Sequence, residues 1–423
     1  MVMDKGIIIQ PGVDGNNITI IDETIREGMQ HRGIVFSKLQ RENILEFQET
    51  LGVDVCQAGY APAHSTEQEH ITHLQNMAVK RGFRISLAGM GRAWEQDVPA
   101  LVATGIKNYH LHAHIPHDLK MDVIHGKLKT DTMQGRRKTA AMHGLEQLGA
   151  IRSAVDSIRS KVENAVISVA VLDIGAVSME LLVFVSNFLA GELGIEIISL
   201  PDTSGIMAPD QFHDCIKFAV QNIQREGSKS NRLAHDPCHE LTRISVHCHN
   251  DLGMASANTL MGVKAGATVV ELSALGIGER NGIADLFTVG RFLRKQGYDI
   301  NLNVNDTETF KKYYGYVSDI CMEQTGESLL HYCTPFFGES AMSHVAGTHA
   351  KTGFGLFENE MYFINVLCGK GLVKKYLDAM DIPYDPLKLK FITETIKCQS
   401  AALGRRLEKQ DILEITRTPV KLL

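Results

Sequence analysis

Short apolar runs recur along the first three hundred residues or so, and a longer amphipathic segment follows most of them. Runs such as VISVAVLD (166–173) and IEIISLP (195–201) are apolar on both faces, which is typical of parallel strands covered by helices. Segments such as Lys38–Leu51 and Thr66–Arg81 are long enough to be the connecting helices. The pattern predicts eight strands, at Asn17–Asp22, Val53–Gly59, Phe83–Ala88, Lys107–His112, Val166–Asp173, Ile195–Asp202, Arg243–His249 and Val269–Ala274.

Eight strand and helix units in succession predict an α/β fold, a closed (β/α)8 TIM barrel over residues 1–300 with its active site at the C-terminal strand ends. A doubly wound open sheet remains the alternative. After residue 300 the pattern becomes helical, with helices expected at Thr307–Gln324, Glu358–Met380 and Pro386–Glu408. We therefore expect a small helical C-terminal module over residues 301–423, whose subdomains are joined by a flexible segment near 349–355 (HAKTGFG).

Composition narrows the classes of partner. The chain has 423 residues, 44% of them hydrophobic, and a net charge of −6, with no lysine and arginine cluster interleaved with aromatics, so neither nucleic acid nor an anionic membrane is expected. No basic and apolar leader opens the chain, and no apolar run approaches the roughly 20 residues of a membrane span. Eight scattered cysteines without a CxxC pair fit reduced thiols in the cytoplasm. Small-molecule substrates are expected instead.

Polar residues collect where four of the predicted strands end. The first strand runs into DETIRE (22–27), the fourth into HLHAH (110–114), the sixth into PDTSG (201–205) and the seventh into VHCHND (246–251). Because a barrel brings these ends to one face, their side chains are candidates for a single site. Taken alone, DETIRE also fits a helix cap followed by a solvated first turn, and the motif by itself leaves both interpretations open.

A metal site is the chemical interpretation of these strand ends. His247 and His249 lie two residues apart on a predicted strand, so both side chains point to one face and can share a metal ion. Glu27, across the barrel mouth, would add a carboxylate and leave positions open for substrate and water. Arg26 is always charged and offers fixed donors, so beside the metal it can stabilise charge on a carbonyl or enolate oxygen.

The same residues carry a resemblance to a known family. DETIREGMQ (22–30) resembles the D-x-T-x-R-[DE]-G-x-Q signature of the barrel enzymes that include 2-isopropylmalate, homocitrate and citramalate synthases and hydroxymethylglutaryl-CoA lyase. SVHCHNDLGMASAN (245–258), GIGERNG (276–282) and LPDTSGIMAP (200–209) resemble further synthase motifs, and HVAGTHAKTG (344–353) resembles their C-terminal histidine segment. Because five motifs occur in the right order, we identify the chain as a member of this family of metal-dependent acyl-CoA condensing enzymes.

The resemblance implies a Claisen condensation. A 2-oxo acid chelates a divalent metal (Mg, Mn or Zn), a base removes a proton from the methyl group of acetyl-CoA, and the enolate attacks the ketone before the thioester is hydrolysed. The resemblance further implies that Glu27, His247 and His249 bind the metal. It makes Arg26 a catalytic residue that also contacts the substrate.

Two more residues receive roles from the resemblance. Thr203 would hydrogen-bond the carboxylate of the oxo acid. His112 and His114 are expected to bind substrate because they lie at the fourth strand end, where the chain reads HAH and the family reads ATS. His349 matches the histidine that reaches the active site of a partner subunit in such synthases, which implies a homodimer. A surface residue in a flexible stretch is the alternative interpretation of His349.

The chain departs from the family pattern at several strand ends. Ile283 stands where the common synthase form GERAGNA carries an asparagine that can be a further ligand, so three protein ligands are expected, as in homocitrate synthases. Gln57 replaces a glutamate found on the second strand of many members, and the fifth strand end VAVLDIGAVS (169–178) has no arginine. These changes leave the general base unassigned and keep a catalytically silent homologue as an alternative.

The fifth strand end also bears on the substrate. Homocitrate synthases must bind a second carboxylate, commonly with an arginine there, and an unpaired buried carboxylate is costly. We therefore expect an aliphatic acid, 2-oxoisovalerate, and 2-isopropylmalate as product, a step of leucine biosynthesis. Ser245 also resembles 2-isopropylmalate synthases, since homocitrate synthases tend to carry a glutamate at this position. In contrast, IHGK (124–127) and GERNGI (278–283) resemble homocitrate synthases, so homocitrate and citramalate synthases stay alternatives. An acyl-CoA lyase is less favoured because SALGIGERNG (273–282) lacks a cysteine.

Overall fold

The chain consists of two compact units, Met1–Leu329 and Leu330–Leu423. The computed structural model describes residues 16–114, 135–171, 173–223, 242–345 and 361–417, with the backbone alone for residues 135–143, 342 and 344. His349, the expected flexible segment at 349–355 and IHGK at 124–127 lie outside the described residues.

Eight strands form the centre of the first unit. They are β1 (Thr19–Asp22), β2 (Val55–Tyr60), β3 (Ser86–Arg92), β4 (Asn108–Ala113), β5 (Val166–Val171), β6 (Ile197–Asp202), β7 (Arg243–Cys248) and β8 (Val269–Leu272). All neighbouring strands pair in parallel, and β1 closes the barrel on β8 from the pair Thr19 and Val269 to the pair Asp22 and Leu272. The predicted (β/α)8 TIM barrel is confirmed, and the open-sheet alternative is wrong.

Helices connect the strands and make up much of the second unit. They are α1 (Thr24–Glu27), α2 (Lys38–Leu51), α3 (Ser65–Arg81), α4 (Val98–Val102), α5 (Gly135–Lys161), α6 (Met179–Asn187), α7 (Pro209–Asn222), α8 (Ala255–Lys264), α9 (Leu286–Lys295), α10 (Thr307–Thr325), α11 (Lys370–Ala379), α12 (Leu389–Leu403) and α13 (Lys409–Arg417). None of these described helices is long and apolar enough to span a membrane.

Local sequence explains where the connecting helices begin and end. Ser37 and Gln40 form a capping box at the start of α2, since each side chain accepts a hydrogen bond from the other residue's backbone. The helix ends at Gly52, which adopts the left-handed conformation with φ 77°. The predicted bounds of this helix, Lys38–Leu51, are confirmed.

The barrel interior changes from apolar to polar toward the C-terminal strand ends. Its apolar layer consists of Ile21, Val55, Ala88, Ile197 and Val269. Side chains alternate between the two faces of a strand, so residues two positions further along the same strand also point inward, and Gln57, Ser199 and Glu271 at such positions are polar and buried. Glu23, in the turn directly after β1, and His110 of β4 are polar and buried as well. The strands therefore present a polar floor directly beneath the barrel mouth.

Helix α10 belongs to the first unit. The ring of Tyr313 stacks on that of Phe47 in α2 with centroids 5.4 Å apart, and the Asn43 amide donates to the hydroxyl of Tyr316 at 2.9 Å. The C-terminal module expected from the sequence begins at residue 301 and would include this helix, whereas the first compact unit extends to Leu329. The pattern of one amphipathic helix does not specify which unit buries its apolar face.

The second unit has a small core of its own, formed by residues of α11, α12 and α13 and the segments beside them. The helix expected at Glu358–Met380 is wrong for its described part before Lys370. Met361–Tyr362 (β10) pairs in parallel with Ser343–His344 (β9), and the Asn365 side chain then accepts a hydrogen bond from the Leu367 backbone in a turn. Aromatic residues favour the strand, and asparagine favours the turn.

Candidate active site

The turn after β1 is buried and held from several sides. The Asp22 carboxylate accepts hydrogen bonds from the backbone N–H of Thr24 at 2.8 Å and from its hydroxyl at 2.5 Å. The Thr24 hydroxyl oxygen in turn accepts from the backbone N–H of Ala274, beyond β8, at 2.8 Å. Arg26 and Glu27 are 7% and 1% exposed. The interpretation of this segment as a solvated first helical turn is therefore wrong.

Arg26 lies among carboxylates and amides. Its Nη2 donates to Glu23 Oε2 at 2.9 Å, its Nε to Gln57, and its Nη1 to Glu27. Burial would lower the pKa of this guanidinium, but the charges of Glu23 and Glu27 raise it above its ordinary value. Arg26 is therefore a fixed cation whose orientation is set by three neighbours.

The two histidines of the HCH motif converge. The Nε2 atoms of His247 and His249 lie 3.3 Å apart, and the rings meet edge to face with centroids at 5.0 Å. Both residues are buried, at 7% and 6% exposure. The two side chains share one face of the strand, as its alternation predicts, and their Nε2 atoms approach each other there.

A glycine-rich loop, residues 276–282, connects Glu27 with His249. The backbone N–H of Glu279 donates to Glu27 Oε1 at 3.1 Å, and the next residue after the loop, Ile283, forms a backbone bridge with His249. A Cβ on Gly278 would lie 2.9 Å from Glu27 Cγ, so only glycine permits this approach. The loop and the residue after it therefore contact both Glu27 and His249.

The two histidines have the spacing of ligands to one divalent cation. Two ligands that each bind one ion at about 2.1 Å are themselves roughly 3.0–3.4 Å apart, and the His247 and His249 nitrogens are separated by 3.3 Å. The charge of Glu27 also acts on His249. Among the described residues, however, the group of potential ligands whose donor atoms all lie within 4.8 Å of one another is Glu23, His247 and Glu271, and the expected set of Glu27, His247 and His249 is not brought that close together.

The two histidines differ in protonation. Burial disfavours a charge on His247, but the carboxylates of Glu23 and Glu271 raise its pKa to about 10. For His249, burial and then the charge of His247 lower the pKa to about 4. A cation bound between their Nε2 atoms must therefore displace one proton from His247.

The sequence of the barrel matches a known protein family. The family model described as HMGL-like matches residues 17–313, which include every strand of the barrel. The chain belongs to the HMGL-like family. As an HMGL-like chain that is similar to curated synthases, it is an enzyme, an acyltransferase of the 2-isopropylmalate synthase type.

Two relatives show the extent of the similarity. The 2-isopropylmalate synthase of Sulfurisphaera tokodaii is 31% identical over 361 residues, which cover 84% of this chain and 79% of the relative. That of Sulfolobus acidocaldarius is 29% identical over 420 residues, covering 94% and 95%.

Solved structures share the fold of this HMGL-like chain at lower identity. The HMG-CoA lyase of Bacillus subtilis has a TM-score of 0.54 and 16% identity, and covers 74% of this chain and 95% of its own. The hydroxymethylglutaryl-CoA lyase of Pseudomonas aeruginosa has a TM-score of 0.55 and 14% identity, with 74% and 95% coverage. These likenesses concern the fold alone.

The other expected substrate residues lie around the mouth of the HMGL-like barrel. The Thr203 hydroxyl oxygen accepts from the backbone N–H of Asp173 at 2.8 Å, and its carbonyl accepts from Arg280 at 2.6 Å. His112 Nε2 lies 3.3 Å from the Tyr60 hydroxyl, and burial lowers the pKa of His112 to about 4. His114 is exposed at the end of a described segment.

Glu23 and Glu271 were not expected in this site. Both are at most 1% exposed, and both approach Nδ1 of His247, at 3.0 Å and 3.2 Å. One signal was present in the sequence: Glu271 interrupts the apolar run VVEL of β8 at a position that points inward. Glu23 directly follows β1, where its direction depends on the turn and not on strand alternation.

Proposed function

We propose that this chain condenses acetyl-CoA with a 2-oxo acid, with 2-oxoisovalerate as substrate and 2-isopropylmalate as product. The observation that carries the proposal is the convergence of the His247 and His249 Nε2 atoms at 3.3 Å. In this proposal Glu27, His247 and His249 hold the divalent metal. The bound ion would supply a chelation site for the oxo acid and polarise its ketone.

Arg26 has a donor to offer the substrate. A guanidinium carries five N–H donors, and three hydrogen bonds, to Glu23, Gln57 and Glu27, are described. In our proposal the second Nη2 hydrogen points to the oxo-acid oxygen, where it stabilises the alkoxide that grows as the new bond forms. Because the guanidinium is already oriented, little reorganisation accompanies the reaction.

Charge at the strand ends supports an aliphatic acid. In the described residues that follow the strands, Arg92 is paired with Asp97 at 2.7 Å and Arg280 with Asp251 at 2.8 Å. Arg26 is bound to two carboxylates. At these described cations, a second carboxylate, as on 2-oxoglutarate, would compete with the carboxylate already paired, whereas an isopropyl group requires no cation.

Other roles remain proposals. Thr203 and His112 would contact the oxo acid from β6 and β4, with His114 nearby. His349 would serve the active site of a partner subunit, which requires a homodimer. We also propose a cytoplasmic enzyme of leucine biosynthesis, on the basis of the relatives' names and the scattered cysteines.

The test is a panel of oxo acids. Purified protein receives acetyl-CoA, one divalent metal (Mg²⁺, Mn²⁺ or Zn²⁺) and 2-oxoisovalerate, 2-oxoglutarate or pyruvate, and the release of free CoA thiol is followed. We expect thiol release with 2-oxoisovalerate, its loss with a chelator, and 2-isopropylmalate in the mass spectrum. A preference for 2-oxoglutarate or pyruvate would replace the substrate by that of homocitrate or citramalate synthase. No release with any acid would overturn the proposal.

A further inference from the structure

One buried carboxylate joins the two reactive groups of the site. Glu23 is 0% exposed, and its Oε2 accepts from Arg26 Nη2 at 2.9 Å and lies 3.0 Å from His247 Nδ1. Its other oxygen, Oε1, accepts from the amide of Gln57 at 2.7 Å. Three polar groups are therefore linked through one side chain that comes from the turn after β1.

A second carboxylate completes the environment of His247. Glu271 Oε2 lies 3.2 Å from the same Nδ1 atom, and its Oε1 accepts from the Ser245 hydroxyl at 2.6 Å. Nδ1 of His247 thus lies within 3.2 Å of two carboxylates, while its Nε2 faces His249. Carboxylates that accept from the distal nitrogen of a metal-binding imidazole fix its tautomer and raise its basicity.

The contacts argue against Glu23 and Glu271 as direct ligands. The Glu23 oxygen nearest His247 already binds the guanidinium of Arg26, so a divalent ion at that oxygen would be placed beside another cation. Glu271 is held by Ser245 on its other oxygen. An ion between the two Nε2 atoms instead leaves every one of these hydrogen bonds intact.

We propose that Glu23 is a positioning residue that fixes the metal-binding imidazole of His247 and the guanidinium of Arg26 in one arrangement, with Glu271 supporting the same imidazole. This inference rests on the proposed function, since it assigns His247 to the metal. It adds that a residue from the variable position of the D-x-T-x-R-[DE]-G-x-Q motif couples metal binding to the orientation of the arginine.

The experiment measures Mn²⁺ binding without substrate, by electron paramagnetic resonance titration. Glu23→Gln keeps the shape but loses the charge, and we expect its Kd for Mn²⁺ to rise about 10- to 100-fold, the usual effect of removing such an outer partner. At saturating Mn²⁺, kcat should remain lowered because Arg26 has lost its anchor, with a smaller change in KM. Glu271→Gln should raise Kd in the same direction while leaving the Arg26 contact in place.

Glu67→Gln is the matched control. Glu67 pairs with Arg41, which is 1% exposed, at 2.5 Å, so this variant also removes a carboxylate from a buried arginine but makes no described contact with His247. It should lose stability to thermal unfolding without a change in the Kd for Mn²⁺. An equal Kd change in Glu67→Gln would show that the effect is a general consequence of destabilisation and would overturn the proposal.

Further outcomes distinguish a positioning role of Glu23 from a role as metal ligand, and separate this inference from the proposed function. If Glu23→Gln does not fold, Glu23→Asp and Glu271→Gln decide, and an unchanged Kd in both refutes the positioning role. If His249→Ala binds Mn²⁺ like the parent while Glu23→Gln binds none, Glu23 and Glu271 are ligands and the proposal is wrong. A parent that binds no divalent metal and releases no thiol contradicts the proposed function itself, whereas a parent that does both and a Glu23→Gln variant that matches it contradict only the present inference.

Discussion

The hydroxyl of Tyr313 offers a sharp test of how the site is supported from outside the barrel. This side chain of α10 is fully buried, and its hydroxyl donates to Asp22 Oδ2 at 2.9 Å. Asp22 is also fully buried, and its other oxygen holds the backbone and hydroxyl of Thr24 at the start of the Arg26 turn. Tyr313→Phe removes one oxygen and leaves the stacking on Phe47 in place.

The expected cost follows from the charge of the acceptor. A hydrogen bond to a charged group contributes about 1.5–3 kcal/mol, and Phe leaves no large cavity, so we expect the free energy of unfolding of the first unit to fall by about 1.5–3 kcal/mol. Burial raises the pKa of Asp22, and its hydrogen bonds, that of Tyr313 among them, partly offset this. The loss should therefore shrink as acid protonates Asp22, because a neutral carboxyl accepts a weaker bond.

Urea unfolding followed by circular dichroism measures this effect, with Tyr109→Phe as the control. Tyr109 lies in the same unit and is 1% exposed, but its hydroxyl donates to the neutral carbonyl of Ile106 at 2.6 Å. The control should cost only about 0.5–1.5 kcal/mol, with no dependence on acid. If Tyr313→Phe costs no more than Tyr109→Phe, the hydrogen bond to Asp22 does not stabilise this turn and the reasoning fails.

Four other predictions concern the site. Glu27→Ala and His247→Ala should each abolish turnover and weaken oxo-acid binding, with Glu27→Asp milder, as metal titrations monitored by calorimetry would show; a variant that binds metal and turns over like the parent would mean that the site is misplaced. Arg26→Lys keeps the charge but loses the planar fork, so kcat should fall by about 10²- to 10³-fold, whereas a raised KM alone would make Arg26 a residue of ground-state binding. Burial, with neighbouring cations, lowers the pKa of His112 to about 4 from 6.5, so the unfolded chain binds the extra proton and stability should drop as pH falls from 6.5 toward 4; His112→Gln should reduce the slope of this part of the urea midpoint profile, to which His249 also contributes, and an unchanged slope would exclude His112 as a source. Co-expressed His349→Ala and Glu27→Ala chains, purified as a heterodimer with two tags, should regain activity if His349 serves a partner's site, and an inactive heterodimer would exclude that arrangement.

Sequence periodicity predicted the barrel because the apolar pattern of a strand is visible in its own few residues. Parallel strands buried on both faces must be apolar along their length, and the eight runs found in this way correspond to β1 through β8. Alternation also predicted that His247 and His249 share a face, and the structure brings their Nε2 atoms together. The family signatures supplied the rest of the metal interpretation, in which Glu27 and the roles of Thr203 and His349 stay predictions.

Tertiary structure alone decided how these residues are supported. Glu23 and Glu271 come from opposite ends of the barrel sequence, and they meet at His247 because β1 closes on β8. Strand alternation specifies the face of a residue but not what lies across the barrel, since that depends on closure and on the angle of each turn. For the same reason the motif DETIRE could not show that Arg26 is buried, nor could the pattern of α10 show that Tyr313 reaches Asp22. Burial of a charged side chain is determined by the groups that surround it, and in this chain those groups come from distant strands and from a helix beyond the barrel.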